Sequence, residues 1–441
     1  MNKSLKGGCD VFRKITESLE AWKESAYRKP LILQGARQVG KTWSVLEFGR
    51  THYENVAYFN FETSPGLNAT FDEDIRPSYL IPILSHIAGQ TIVREKTLMI
   101  FDEVQLCERA LTSMKYFCEE EPGYHIIVVG SLLGVAVNRE HFSFPVGKVD
   151  RLTMVPMDME EFLLALGEAG LVQQIHACHE RFEPMPKALH EAAMQRYRQY
   201  LVVGGMPECV RQFAETGDYI LVRHTQDTIL SGYLDDMSKY NHLNEIKKTR
   251  LVYNNITVQL SKANTRFQYK LLKKGGRASE FENAIEWLCL SGIVSRIYRV
   301  NPVKKPMENY LDIDAFKIYV SDMGLLCAKK NLAPEDLLYM TEELNDYKGG
   351  MTENYVHTQL TARGYAPCYW ESGNGAEIDF VIQREGRLIP VEVKAADHTK
   401  AKSLAAYRAL YHPEYAIKLS TKNFGFENGT QTIPLYATFC V

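Results

Sequence analysis

Eight residues, Gly35-Ala36-Arg37-Gln38-Val39-Gly40-Lys41-Thr42, have the spacing G-x-x-x-x-G-K-[ST]. Glycine at either end lets the backbone curl without Cβ clashes, so that successive N–H groups can cradle an anion. A lysine after the second glycine sets an ammonium against the outer phosphates of a nucleotide, and the hydroxyl of the next threonine suits a magnesium ligand. Lys41, Thr42 and Trp43 also open a helical pattern, whose N-terminal dipole end favours negative charge. The chemistry expected of Gly35 to Trp43 is binding of ATP with Mg2+.

A second group supplies what hydrolysis needs. The apolar run Leu98-Met99-Ile100-Phe101 ends in Asp102 and Glu103. A buried strand would deliver Asp102 to the metal's shell and leave Glu103 beside the γ-phosphate, where it could polarise the attacking water as a general base. The run Ile126 to Val129 ends at Gly130-Ser131. Ser131 reads either as a sensor of the γ-phosphate or as a turn serine. An arginine from a neighbouring subunit would complete the site. Arg139 and Arg151 both follow Ser131, and each reads equally as a solvated surface charge. An arginine acting in trans would imply a homo-oligomer.

The third group lies near the C-terminus. Glu353 sits in a helical stretch, Asp379 in the strand pattern 376–382, and Glu392 and Lys394 in the strand pattern 388–394. Residues two apart on a strand share a face, so Glu392 and Lys394 point together, with Asp379 on the adjacent hairpin strand. Three carboxylates and the Val393 carbonyl suit Mg2+, and Lys394 could lower the pKa of a bound water or steady a transition state. The alternative is a strand pair with incidental charges. Upstream, Lys262, Arg266, Lys270, Lys273, Lys274 and Arg277 interleave with Phe267 and Tyr269. At helical spacing they present either a phosphate-binding face for DNA or a solvated surface.

These groups need particular elements behind them. Lys29-Pro30 breaks an amphipathic helical pattern over 11–28, and the buried strand Leu31 to Leu33 leads into the phosphate loop. Near-continuous apolar strands at 31–33, 56–61, 97–101 and 126–129 alternate with helical stretches, the pattern of a parallel sheet covered on both faces. From Asp158 to about Tyr240 the pattern is helical apart from Gly204-Gly205-Met206-Pro207. A helical unit over 250–300 closes with the alternating strand Ile293 to Val300, which suggests a winged helix. A second α/β pattern follows from about Phe316.

Composition narrows the classes. The 441 residues exceed what one core usually serves, so two or three domains are expected. With 45% hydrophobic and 24% charged residues the chain reads as globular, and a formal charge of -3 excludes no partner. The nine cysteines form no CxxC pair, so reduced thiols and a cytoplasmic location are expected. No run approaches the ~18 apolar residues of a membrane span, and no signal-peptide core follows the N-terminal lysines.

The chain resembles the AAA-type ATPases of bacteria and archaea that carry a C-terminal domain of unassigned function. The resemblance rests on Gly35 to Thr42, Phe101-Asp102-Glu103-Val104-Gln105, Gly130-Ser131-Leu132-Leu133, Phe144-Pro145-Val146-Gly147-Lys148 and Glu160-Glu161-Phe162-Leu163. It continues through Gly204-Gly205-Met206-Pro207-Glu208, Phe316-Lys317-Ile318-Tyr319 and Ser321-Asp322-Met323-Gly324-Leu325-Leu326. Where many relatives read Gly-Ser-Ser, this chain has Gly130-Ser131-Leu132. The order Glu353, Asp379, Glu392-x-Lys394 resembles the PD-(D/E)xK nucleases. Together these resemblances imply a P-loop, AAA-like ATPase domain over 1–157, a helical lid over 158–245, a winged-helix-like segment over 246–312 and a restriction-endonuclease-like α/β domain over 313–441. The expected function is Mg2+-dependent ATP hydrolysis coupled to a C-terminal domain that contacts DNA. The alternative is a nucleotide-dependent protein-partner switch with an inactive nuclease-like domain.

Overall fold

The structure, a computed structural model, describes residues 12–64, 66–130, 145–240, 243–261, 266–373, 375–395 and 402–441. The chain folds into two compact units, one of Arg13–Val155 with Leu290–Gly292 and one of Pro156–Cys289 with Ile293–Val441.

The first unit is a parallel sheet of β1 (Leu31–Gln34), β2 (Asn55–Asn60), β3 (Thr97–Asp102), β4 (His125–Val129) and β5 (Asp150–Thr153) in the order β2-β3-β4-β1-β5. Its helices are α1 (Ile15–Glu24), α2 (Lys41–His52), α3 (Gly66–Glu73), α4 (Pro77–Ala88) and α5 (Glu108–Glu120). The four apolar runs are strands, and every residue of β3 and β4 is buried. β5 shows an alternating, half-exposed pattern because it lies at the sheet edge beside β1. Arg151 projects from its exposed side. The rings of Phe59, Phe61 and Phe71 stand edge-on or tilted to one another and to Phe101, with centroids 5.6 to 5.9 Å apart. This cluster fixes the end of β3, and therefore the backbone that carries Asp102.

The second unit begins with the helices α6 (Met159–Ala165), α7 (Ala169–Arg181), α8 (Lys187–Val203), α9 (Pro207–Thr216), α10 (Tyr219–Tyr240), α11 (Leu243–Gln259) and α12 (Ala278–Leu290). Two strands follow, β6 (Val294–Val300) and β7 (Leu311–Val320), then α13 (Met323–Lys329), α14 (Pro334–Tyr339) and α15 (Asn345–Ala362). The chain ends with β8 (Cys368–Glu371), β9 (Glu377–Arg384), β10 (Arg387–Val393), α16 (Lys402–Tyr411), β11 (Ala416–Ser420), β12 (Gly425–Glu427) and β13 (Thr430–Pro434). All eight strands form one sheet in the order β12-β13-β11-β10-β9-β8-β6-β7.

The alternating strand expected to close a winged helix is β6. It pairs antiparallel with β7 and joins the C-terminal sheet through Arg299 opposite Tyr369. The basic stretch also departs from the helical spacing expected of it. Among its described residues only Tyr269–Leu271 form a short 3-10 turn, Phe267 is buried and stacks on Phe316 at 5.2 Å, and Lys273 pairs with Glu280 at 2.8 Å. Lys270, Lys273, Lys274 and Arg277 are exposed on this loop, and Lys262 lies outside the described residues.

The Gly-Gly-Met-Pro and Ser-Asp-Met-Gly motifs meet inside this unit. Asp322 caps α13 by accepting from Leu325 N at 2.8 Å, and its other oxygen accepts from Gly205 N at 2.6 Å. Gly204 has φ +75, and a Cβ there would lie 2.4 Å from Asp322 Oδ1, so the loop and the cap close only around glycine. Among the described residues no helix is long and apolar enough to cross a membrane.

Candidate functional site

β1 hands the chain to α2 through the Gly35–Gly40 loop. Gly35 lies against β5, where a Cβ would meet Met154 O at 2.1 Å, and Gly40 at φ +93 turns the chain into the helix. Beneath the loop, the buried Arg13 donates to Val39 O and Val155 O, each at 2.8 Å. Lys41 is 7% exposed, and its ammonium donates to Gly35 O and Ala36 O at 2.8 Å each. Burial pulls its pKa down to about 8, against the raising influence of Glu103 and Asp102. Phosphate oxygens are better partners for that charge than two carbonyls, because a charge-assisted bond between ions is the stronger one.

Across the sheet the end of β3 completes the site. Asp102, 4% exposed, accepts at Oδ2 from Thr42 Oγ1 at 3.0 Å and from the Tyr58 hydroxyl at 2.8 Å, while Oδ1 accepts from Glu103 N at 2.9 Å. Asn60 donates to the Tyr58 hydroxyl at 3.2 Å. Glu103 takes a left-handed backbone, φ 52, unusual for a residue with a Cβ, and Gln105 Nε2 donates to its carboxylate. Burial raises the pKa of Glu103, partly offset by the Gln105 hydrogen bond, while the neighbouring Asp102 charge raises it further. A carboxyl moved up in this way is a better proton acceptor than an ordinary surface glutamate.

Lys41, Thr42, Asp102 and Glu103 are thus brought together. Ala36 and Val39 are buried in the loop, whereas Arg37, Gln38 and Trp43 are exposed on it and on the first turn of α2. Ser131 and Arg139 lie outside the described residues. Arg13, Tyr58, Asn60 and Gln105 were not expected at the site. The one signal for Tyr58 and Asn60 is their place at the end of an apolar strand, and only the register β2 to β3, with Asn60 opposite Asp102, brings that end to the acids.

The C-terminal acids are arranged differently from a metal triad. Asn354 of α15 accepts from Val320 N at 2.7 Å and donates to Val320 O at 2.9 Å, which docks the helix on β7. Its neighbour Glu353 then faces β7, where Oε2 accepts from Lys317 Nζ at 3.2 Å and from the Tyr319 hydroxyl at 3.0 Å. Lys317 Nζ also pairs with Glu377 Oε1. Asp379 Oδ2 accepts from Val393 N at 2.6 Å. One step beyond the pair Val391–Phe380, the register sets Asp379 opposite Glu392. Glu392 is 1% exposed and lies 3.0 Å from Lys394 Nζ, an ion pair without hydrogen-bond alignment. Burial, then the Glu353 charge, push the Asp379 carboxyl up to about 7. Among the described residues no three His, Cys, Asp or Glu side chains converge so as to hold a metal ion.

The loop, the acids at the end of β3 and the parallel order of the sheet define an AAA-type P-loop ATPase domain. Residues 27–163 match the family described as AAA domain. Residues 194–336 match a domain of unknown function (DUF8612), and 348–438 match another (DUF4143). No curated protein matches the chain. Among solved structures, the chain is similar to the Walker-type ATPase PABY2304 of Pyrococcus abyssi, at 13% identity and TM-score 0.46, over 73% of this chain and 96% of that one. It is also similar to the ORC2 protein of Aeropyrum pernix, at 11% identity and TM-score 0.37, over 76% and 97%. A third is the RuvB Holliday junction branch migration motor of Thermotoga maritima, at 16% identity and TM-score 0.27, over 67% and 92%.

Proposed function

We propose that the chain binds Mg-ATP through Gly35 to Trp43 and hydrolyses it, and that the nucleotide cycle acts on a nuclease-like C-terminal region that contacts DNA. The observation that carries the ATPase reading is the 3.0 Å contact between Thr42 Oγ1 and Asp102 Oδ2, which sets a hydroxyl and a carboxylate where one Mg2+ would be held. The residues fit the nucleotide: Gly35 and Gly40 give the backbone its curl, and Lys41 supplies charge for the β- and γ-phosphates. Mg2+ would neutralise the phosphates, and Glu103 would take the proton of the attacking water. A serine at 131 would touch the γ-phosphate in this reading.

DNA contact is supported by the exposed Lys270, Lys273, Lys274 and Arg277, which suit phosphates better than base edges. The nuclease-like reading is supported by the succession of α15 with Glu353, β9 with Asp379 and β10 with Glu392. A second reading, a protein-partner switch with an inactive nuclease-like region, is favoured by the ion pairs of Lys317 with Glu353 and Glu377.

ATP turnover measured with Mg2+, with and without single-stranded or duplex DNA, tests both readings when DNA integrity is followed in the same tube. Lys41→Ala is expected to abolish turnover, and unchanged turnover would sink the assignment of the loop. Stimulation by DNA supports the first reading, whereas turnover indifferent to DNA supports the switch.

A further inference from the structure

Lys317 is 1% exposed and lies on β7, apart from the strands β9 and β10 that carry Asp379 and Glu392. An ammonium taken so far out of water must be compensated by charge at close range. Glu353 Oε2 lies at 3.2 Å, Glu377 Oε1 is paired with the same nitrogen, and the Tyr369 ring centre lies 5.1 Å away. The Tyr319 hydroxyl holds Glu353 from the other side at 3.0 Å.

We propose that the Lys317 ammonium is the resident cation of this acidic cluster and excludes the divalent ion that Glu353, Asp379 and Glu392 would otherwise hold, so that the C-terminal region loads no Mg2+ and cuts no phosphodiester there. The proposal rests on the nuclease-like reading only for the expectation of a metal. Asp379 Oδ2 is committed to Val393 N, and the Lys394 ammonium lies 3.0 Å from Glu392, a second cation beside the acids. Mg2+ needs about six oxygens at ~2.1 Å, and a nitrogen set between Glu353 and Glu377 leaves those carboxylates turned toward an ammonium instead. Without a divalent ion, clustered carboxylates repel a phosphodiester, so the cluster cannot position DNA for cleavage.

Mn2+ titrated into nucleotide-free full-length protein and followed by electron paramagnetic resonance tests this. Wild type and Asp379→Asn are expected to take up the same amount of Mn2+. Lys317→Ala is expected to gain about one Mn2+ per chain, lost again in Lys317→Ala/Asp379→Asn. A wild-type Mn2+ site that disappears in Asp379→Asn overturns the proposal, as does a folded Lys317→Ala protein with no gain. If Lys317→Ala does not fold, the wild-type and Asp379→Asn comparison decides alone. None of these readouts depends on DNA or ATP turnover, so failure of the DNA-contact reading leaves them unchanged.

Discussion

Lys41 holds its proton less tightly than an exposed lysine because burial takes its ammonium out of water. With a pKa of about 8 it is roughly half charged at pH 8. Nucleotide phosphates at the same place favour the charged form, so binding at pH 8 should draw in about half a proton. Calorimetry of ATP binding in two buffers of different ionisation heat reads this directly. The uptake should vanish at pH 6 and in Lys41→Met; equal uptake in that variant would assign the proton to another group. Glu103 poses the complementary problem. Its carboxyl is half-buried, raised in pKa and tethered to Gln105, so Glu103→Gln should keep ATP binding while lowering turnover by about 100- to 10,000-fold. Turnover within a few-fold of wild type would remove Glu103 from the role of base. The loop and the acids were legible because their spacing states their chemistry. Lys317 was not, because a lysine within Phe316-Lys317-Ile318-Tyr319 reads as the outward side of a strand until Glu353 and Glu377 are folded against it.

Between elements, the burial of Asp322 carries a pH signature. Burial raises its carboxyl to about 6, although backbone N–H groups of Leu325, Gly205 and Gly324 pull the other way. The folded pKa therefore lies above the ordinary 3.8, and the folded state holds this proton more tightly than the unfolded one. Stability from that proton is present below pH 4 and is lost as the pH rises through 6. Denaturant unfolding of wild type and Asp322→Asn should show the wild-type advantage shrinking from pH 4 to about pH 6.5 and staying constant above; an advantage that grows with pH would contradict the assignment. The Asn variant should be the less stable at every pH, because its amide N–H2 would face a backbone donor. Legibility followed burial here too. β1, β3 and β4 showed as apolar runs because both faces of the sheet are covered there, and the edge strand β2 showed because Val56 to Phe59 are apolar in type although partly exposed, while β5 and the outer part of β7, partly exposed and mixed in residue type, carried no such run. The Gly-Gly-Met-Pro and Ser-Asp-Met-Gly motifs were visible as motifs, yet nothing in their spacing says that they close on one carboxylate.

At the scale of the whole molecule, each compact unit has a hydrophobic cluster of its own. Phe59, Phe71, Phe101 and Met114 lie at the centre of one, and Val300, Trp370, Ile378 and Tyr407 at the centre of another. A unit with its own core can unfold as its own cooperative step. ATP held by residues of Arg13–Val155 should then stabilise that step first. Ligand at 100 times its Kd adds about 2.7 kcal/mol, which for a unit of this size means roughly 5 to 10 °C. In Glu103→Gln, where hydrolysis does not consume the ligand, scanning calorimetry with Mg-ATP should move one transition by that amount. A second transition that stays in place would mean that nucleotide occupancy alone leaves the C-terminal region's stability unchanged, and that any control over it comes from turnover. A second transition that moves with the first would mean that the bound state itself is read by the C-terminal region, as a switch requires.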